Sequence, residues 1–334
     1  MPRQTAALDP VNPCLAGLDD LLARLKSASA PNFRIGIAYS GGADSSALLH
    51  ALAARLRGRV DAIHIHHGLQ AAADQFVLHC QTQCAPLNVP LQVVYVDGRA
   101  AQGESPEDAA RKARYAALAK AGKQLGVSDI VLAQHADDQV ETLLLALTRG
   151  AGLPGLAAMP AQFERAGLVF HRPLLAVTAL EIRLWLRANR IDFIEDPSNA
   201  DESLTRNRIR RQLLPILEAS FPGFRSQFAR SARHAAQGKR LLASLAELDL
   251  AQTGVPPIIA ALQKLNPDRQ ANALRHWLKS TYNTAPSDSQ LTELIKQITA
   301  CRTRGHRIQI KIGAGQVQRA GASLVYQLGS QGRS

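Results

Sequence analysis

Four cysteines in 334 residues, Cys14, Cys80, Cys84 and Cys301, are too few and too scattered for a disulfide framework. Cys80 and Cys84 stand one helical turn apart, yet no Cys-x-x-Cys pair or Cys/His set of zinc spacing accompanies them. Buried free thiols in a reducing compartment, and no structural metal, are therefore expected. No run approaches the ~20 apolar residues of a membrane span, and no basic segment followed by an apolar stretch opens the chain. A cytoplasmic protein with no membrane partner is the expectation. Internal repeats and low-complexity tracts are absent. So is acid, in two places: Arg206, Arg208, Arg210, Arg211, Arg225, Arg230, Arg233, Lys239 and Arg240 face Glu218 alone between residues 203 and 240, and no Asp or Glu follows Cys301.

A composition of 46% hydrophobic and 20% charged residues excludes general disorder and supports two domains with real cores. The net charge of +12 favours a polyanionic partner, and its concentration in 203–240 favours nucleic acid, since a merely solvated helix face mixes signs.

Strand-like runs at 34–39, 60–65, 91–96 and 129–134 alternate with helical patterns at 45–57, 71–85, 105–125 and 137–149. The repeated βα order predicts an α/β fold, a mostly parallel sheet with helices on both faces. Ser105-Pro106-Glu107-Asp108 signposts the third helix, and Thr178-Ala-Leu-Glu181 is a capping box for another through about residue 190. Helical periodicity resumes at Leu204, breaks near Pro222-Gly223 and runs to about residue 252; helices near 257–282 and 287–299 follow, then alternating Ile308, Ile310, Ile312 and a return over 317–326 that reads as a hairpin. A domain boundary near 220 is expected, with 1–220 as the larger domain and 221–334 as a smaller, mainly helical one ending in the hairpin.

The most informative stretch is Tyr39-Ser-Gly-Gly-Ala-Asp-Ser45, a two-glycine loop between a strand and an apolar helix. Gly41 and Gly42 permit a tight turn and a close approach to a ligand, Asp44 or Ser45 is expected to cap the helix, and its N–H groups and dipole would converge on an anion. The stretch is not a Walker loop, since no G-x-x-x-x-G-K-[ST] occurs in the chain, and it does not fit G-x-G-x-x-G. Ligands in open α/β sheets bind beyond the carboxyl ends of the strands, so 40–45, 66–69 and 134–138 are expected to share one crevice. Asp137, Asp138 and Glu141 fall three and four residues apart at a helix start, candidates for Mg²⁺ or a cationic substrate. Arg111, Lys112 and Arg114 could meet phosphate or a developing anion. His64, His66 and His67 sit where alternate side chains diverge, so loop packing or a crevice hydrogen bond is expected of them rather than a metal.

On Ser40–Ser45, His66-His-Gly-Leu69, Arg111-Lys-Ala-Arg-Tyr115, His135-Ala-Asp-Asp-Gln-Val-Glu-Thr142, Thr148-Arg-Gly-Ala-Gly-Leu-Pro-Gly-Leu156, Arg172-Pro-Leu-Leu175, Glu195-Asp-Pro-Ser-Asn199 and Arg206-Asn-Arg-Ile-Arg210, the chain resembles the tRNA(Ile)-lysidine synthase family of the PP-loop ATP pyrophosphatases. The resemblance implies a PP-loop nucleotide-binding fold and an enzyme. It would adenylate C2 of the wobble cytidine of tRNA(Ile) with a CAU anticodon, using ATP and Mg²⁺. Free L-lysine then displaces AMP to give lysidine, pyrophosphate having left in the first step. It further implies that Ser40, Gly41, Gly42, Ala43, Asp44 and Ser45 hold ATP, that Asp138, Arg114 and Asp44 serve catalysis, and that Asp137, Asp138 and Glu141 receive lysine or Mg²⁺. Arg111, Arg206, Arg208, Arg210, Arg230 and Arg233 would take the adenylate or the tRNA. Longer family members carry a further C-terminal domain, of which this chain is expected to hold less than a full copy. A PP-loop tRNA thiolase, a synthetase or amidotransferase acting on a small metabolite, and a non-catalytic RNA-binding protein are the rival readings.

Overall fold

The computed structural model describes residues 11–28, 33–66, 73–96, 106–196, 199, 201–303 and 305–328. Ser105, His67-Gly-Leu69, Pro197 and Ser198 lie outside them. Two compact units divide the chain, 1–233 and 234–334; the boundary expected near 220 falls just before the helix Phe224–Thr253 that carries the chain from the first to the second.

In the first unit the elements run α1 (Leu15–Ala28), β1 (Ile35–Ala38), α2 (Ala43–Arg55), β2 (Val60–His66), α3 (Ala73–Cys84), β3 (Leu91–Tyr95), α4 (Pro106–Leu125), β4 (Asp129–Val131), α5 (Ala136–Thr148) and a short α6 (Leu153–Leu156). Then follow β5 (Gln162–Arg165), β6 (Leu168–His171), α7 (Ala179–Ala188), α8 (Thr205–Arg208), a π-helical turn Ile209–Leu213, α9 (Leu214–Ser220) and the start of α10 (Phe224–Thr253), whose remainder belongs to the second unit. Among the described residues, no helix is long and apolar enough to cross a membrane.

The six strands lie in the order β3-β2-β1-β4-β6-β5, parallel except for the edge pair β5–β6. Successive strand residues point to opposite faces, and the sheet shows it. Ala62 belongs to a core with Leu18, Ile37, Leu48 and Leu186 from α1, β1, α2 and α7, while its neighbour Ile63 belongs to a second core with Leu118, Ile130 and Phe170. Helices thus cover both faces, as the near-continuous apolar strands require. The β5–β6 hairpin has no counterpart in the sequence reading. Its outer strand is four residues long and largely exposed, and its turn rests on Ala166 (φ 51°) and Gly167 (φ 79°), so the alternation is too brief to stand out.

From β1 the chain moves outward through β2 and β3, then returns to lay β4 on the other side of β1. The strand order therefore reverses between β1 and β4, and a crevice opens where the loops after them part in opposite directions.

The second unit holds α11 (Ile259–Leu262), α12 (Pro267–Tyr282), α13 (Asp288–Ala300) and an antiparallel sheet of β7 (Gln309–Ile312), β8 (Gly315–Ala320) and β9 (Ser323–Leu328). The return read from sequence as one strand is broken at Gly321 (φ 61°), which makes three strands of the expected two. Trp277, Leu274, Leu294, Ile298, Val317 and Leu324 share the core of this unit.

Candidate active site

A cavity of about 600 Å³, within the usual range for small-molecule sites, opens at the strand-order reversal. Its wall includes Ser40, Gly42, Ala43, Asp44 and Ser45 from the β1–α2 turn and Gln134 and Asp138 from the β4–α5 turn. Arg114 on α4, Arg210 on the π-helical turn, and Glu195, Asp196 and Asn199 complete that side.

The glycine turn is built by serines. Gly41 takes φ 82°, which favours glycine, and a Cβ there would stand 3.1 Å from Cys80 Sγ and 3.2 Å from His79 Cδ2, so the space is tight as well. Ser45 Oγ donates to Gly42 O at 3.0 Å and lies 3.1 Å from Ser40 Oγ, while the Gly42 N–H donates to Ser40 Oγ at 3.3 Å. Neither Asp44 nor Ser45 caps α2: its N-cap is Gly42, which makes no side-chain cap hydrogen bond, and only the Gly42 N–H itself goes to Ser40 Oγ. The first N–H groups of a helix have no intrahelical acceptor, so an uncapped start facing a cavity leaves donors able to meet an anion.

Spacing put Asp137, Asp138 and Glu141 together; their partners separate them. Asp138 faces the cavity, with Oδ2 accepting from the His135 N–H at 3.1 Å and Oδ1 from Arg210 Nη2 at 3.1 Å. Asp137 is buried off the cavity wall, its Oδ1 accepting from Arg225 Nε at 2.6 Å and its Oδ2 from the Ala179 N–H at 2.9 Å. Glu141 is fully buried and takes Arg210 Nε on Oε1 at 2.8 Å. Burial lifts the Glu141 carboxyl above its ordinary range, with Asp138 adding to the rise and Arg210 opposing it. Burial also pushes Asp44 upward, but His135, Arg210 and Arg183 outweigh it and hold Asp44 below the usual carboxylate range.

His135, the N-cap of α5, ties these acids together. Its Nε2 lies 3.5 Å from both Asp44 and Asp138, and its Nδ1 lies 3.6 Å from Asp137. Burial favours the neutral ring, yet Asp138, Asp44 and Asp137 reverse that and raise the imidazolium to about 9. A pKa above the unfolded value stabilises the fold fully below about pH 6.5, and the contribution fades as pH rises through about 9. Between pH 7 and 9.5 the wild-type melting temperature should therefore fall more than that of His135→Asn. The difference should be on the order of a few kcal/mol in unfolding free energy. Parallel pH slopes would contradict this.

The remaining motif residues divide by role. Arg114 stands on the cavity wall, whereas Arg111 is exposed and not on it. Arg206 is half-buried, Arg208, Arg230 and Arg233 are exposed, and none of them lines the cavity. Buried Arg172 holds Gln134 Oε1 at 2.7 Å and Pro160 O at 2.9 Å and lies over the Phe163 ring, so it braces the wall rather than facing the ligand. His64 Nδ1 lies 3.0 Å from Tyr39 O at the cavity edge, and His66 pairs with Asp74. Sequence reasoning gave no role to His135 or Arg183; a histidine two residues before paired aspartates was the available signal.

Residues 18–217 match the family model of a PP-loop domain, and residues 259–324 match that of the TilS substrate binding domain. The chain is 57% identical to a tRNA(Ile)-lysidine synthase of Polaromonas naphthalenivorans over 96% of its length and 97% of the relative's. Against the namesake of Burkholderia pseudomallei it is 42% identical over 85% of its length but spans 59% of that relative; for Bordetella pertussis the figures are 40%, 86% and 92%. Among solved structures, the U34-tRNA thiolase NcsA from Methanococcus maripaludis with its [4Fe-4S] cluster shares the fold at a TM-score of 0.54 and 13% identity, covering 70% of this chain and 85% of that one. Identity at this level along nearly the whole chain, together with both domain matches, means that this protein belongs to the tRNA(Ile)-lysidine synthase family.

Proposed function

We propose that the chain joins free L-lysine to C2 of the wobble cytidine of tRNA(Ile) bearing a CAU anticodon, in two steps at the one cavity. The cytidine O2 attacks the α-phosphorus of ATP and pyrophosphate leaves; the lysine ε-amine then attacks C2, AMP leaves, and one proton is given up. The observation that carries this reading is the meeting, around one cavity, of an uncapped glycine-turn helix with Asp138, Arg114 and Arg210.

Each group has a task set by charge. The first turn of α2 and residues Ser40–Ser45 would hold the phosphates, as at other helix N-termini. Arg114 would oppose the negative charge that gathers on departing pyrophosphate. Mg²⁺ enters this reading with ATP, as the counter-ion of its phosphates. The lysine amine has a reference pKa of about 10.4 and must lose a proton to attack, which calls for a carboxylate at the cavity; Asp138, on the cavity wall, would take it, and Asp44, held ionised by His135, stands on the same wall. Sulfur delivery would need an accessible thiolate. Cys14, Cys80 and Cys84 are buried, and burial raises each thiol to about 12.

The test is labelled lysine with ATP, Mg²⁺ and an unmodified tRNA(Ile) transcript, beside a methionine transcript. Label should enter the first alone, and pyrophosphate should appear only when tRNA is present, with turnover beyond the first equivalent requiring lysine as well. Pyrophosphate released equally without tRNA would overturn the reading. The exposed basic face of α10 is proposed to grip the RNA backbone. Arg230→Glu with Arg233→Glu should weaken tRNA binding and lower the slope of log affinity against log salt by roughly 2, leaving ATP binding alone. An unchanged slope would remove α10 from the interface.

A further inference from the structure

The first turn of α5 carries Asp138 to the cavity, so whatever fixes that turn fixes the reacting geometry. Its neighbour Asp137 is where three elements meet. Oδ1 takes Arg225 from the start of α10, Oδ2 takes the Ala179 N–H at the start of α7, and the Ala136 N–H donates to Val177 O at 2.8 Å. Apolar packing follows the same line: Phe224, next to Arg225, is buried with Val140 of α5 and Ile209, and its ring lies under the Arg225 guanidinium at 4.6 Å. The outer nitrogen of Arg225 pairs with Glu218, which is half-exposed. A carboxylate with both oxygens taken by protein donors, off the cavity wall, is a fixture rather than a ligand for substrate.

We propose that Arg225 is a positioning residue for the reaction: acting through Asp137, it holds the first turn of α5, and with it Asp138, in the reactive register from the same helix that bears Arg230 and Arg233. This rests on the lysine-transfer reading above. The physical reason is lever-like. Asp137 and Asp138 are consecutive on a rigid turn, so a shift of the first carries the second, and misplacing a catalytic group by about 1 Å costs roughly 100-fold in rate. Arg225 lies five and eight residues before Arg230 and Arg233, about 8 and 12 Å along one helix, so RNA held there bears on the element that Arg225 roots.

Arg225→Gln removes the charge and keeps a donor. In the full chain it should lower kcat for lysine incorporation about 10- to 100-fold while the KM for ATP and the stoichiometry of ATP-analogue binding stay within about twofold. Arg225→Lys should recover most of the loss, and Glu218→Ala, which removes only the outer partner, should leave the rate within about twofold. A kcat for Arg225→Gln within twofold of wild type would overturn the proposal. So would a loss matched by an equal fall in ATP-binding stoichiometry, which marks simple unfolding, or an equal loss in Glu218→Ala. Wild-type protein assayed in parallel separates the cases: if it transfers no lysine, the functional reading has failed instead.

Discussion

Asp138→Asn should abolish most lysine transfer, by about 10²- to 10⁴-fold in the single-turnover rate, while leaving the protein folded. The two halves of that expectation come from different atoms. Asparagine retains one acceptor, enough for the His135 N–H that closes the first turn of α5, so the turn survives and the protein stays folded, at a melting temperature lowered by loss of the carboxylate that does most to charge His135. What disappears is the negative charge opposite His135 and Arg210 at the cavity wall, and with it any capacity to accept the amine proton. Rapid-quench measurement of labelled lysine on the tRNA(Ile) transcript, with melting temperature as the control, checks both halves. Unimpaired transfer by the variant would end the catalytic assignment of Asp138.

Gly41→Ala should weaken ATP binding about 10- to 100-fold. A non-glycine residue held at φ 82° costs roughly 1–3 kcal/mol, and tenfold in affinity is about 1.4 kcal/mol. Steric cost adds to this, because the new Cβ would press on Cys80 Sγ and His79 Cδ2. The turn cannot simply slide away, since Gly41 O accepts from the Ile194 N–H at 2.9 Å and Ile194 leads into Glu195 and Asp196 on the same cavity wall. Relief of strain at one wall therefore displaces the other. Calorimetry with a non-hydrolysable ATP analogue measures the effect; binding within twofold of wild type would show that the turn is not a phosphate cradle.

Much of the first unit was legible because its signals are local. The four βα repeats followed from period-2 runs alternating with period-3.6 runs, and Thr178 with Glu181 announced α7, where the box is formed in full. The short β5–β6 hairpin and the break at Gly321 were not read, since four- to six-residue strands separated by two residues, one of them glycine, leave too little pattern to parse. Capping of α2 was also read differently: a small polar residue near a helix start suggests a cap, but Ser45 is spent on Ser40 and the Gly42 carbonyl, which keeps the helix start open.

The acids show where local reading stops. Sequence alone determined that Asp137, Asp138 and Glu141 share one helix start and that the chain between 203 and 240 is densely basic. It could not say that the two sets are each other's partners. Arg210 reaches Asp138 across 72 residues and Arg225 reaches Asp137 across 88, and those pairings decide which carboxylate faces the cavity and which are fixtures beneath it. Periodicity is a property of neighbours along the chain, whereas a charge is assigned its role by whatever opposite charge the fold brings within about 4 Å.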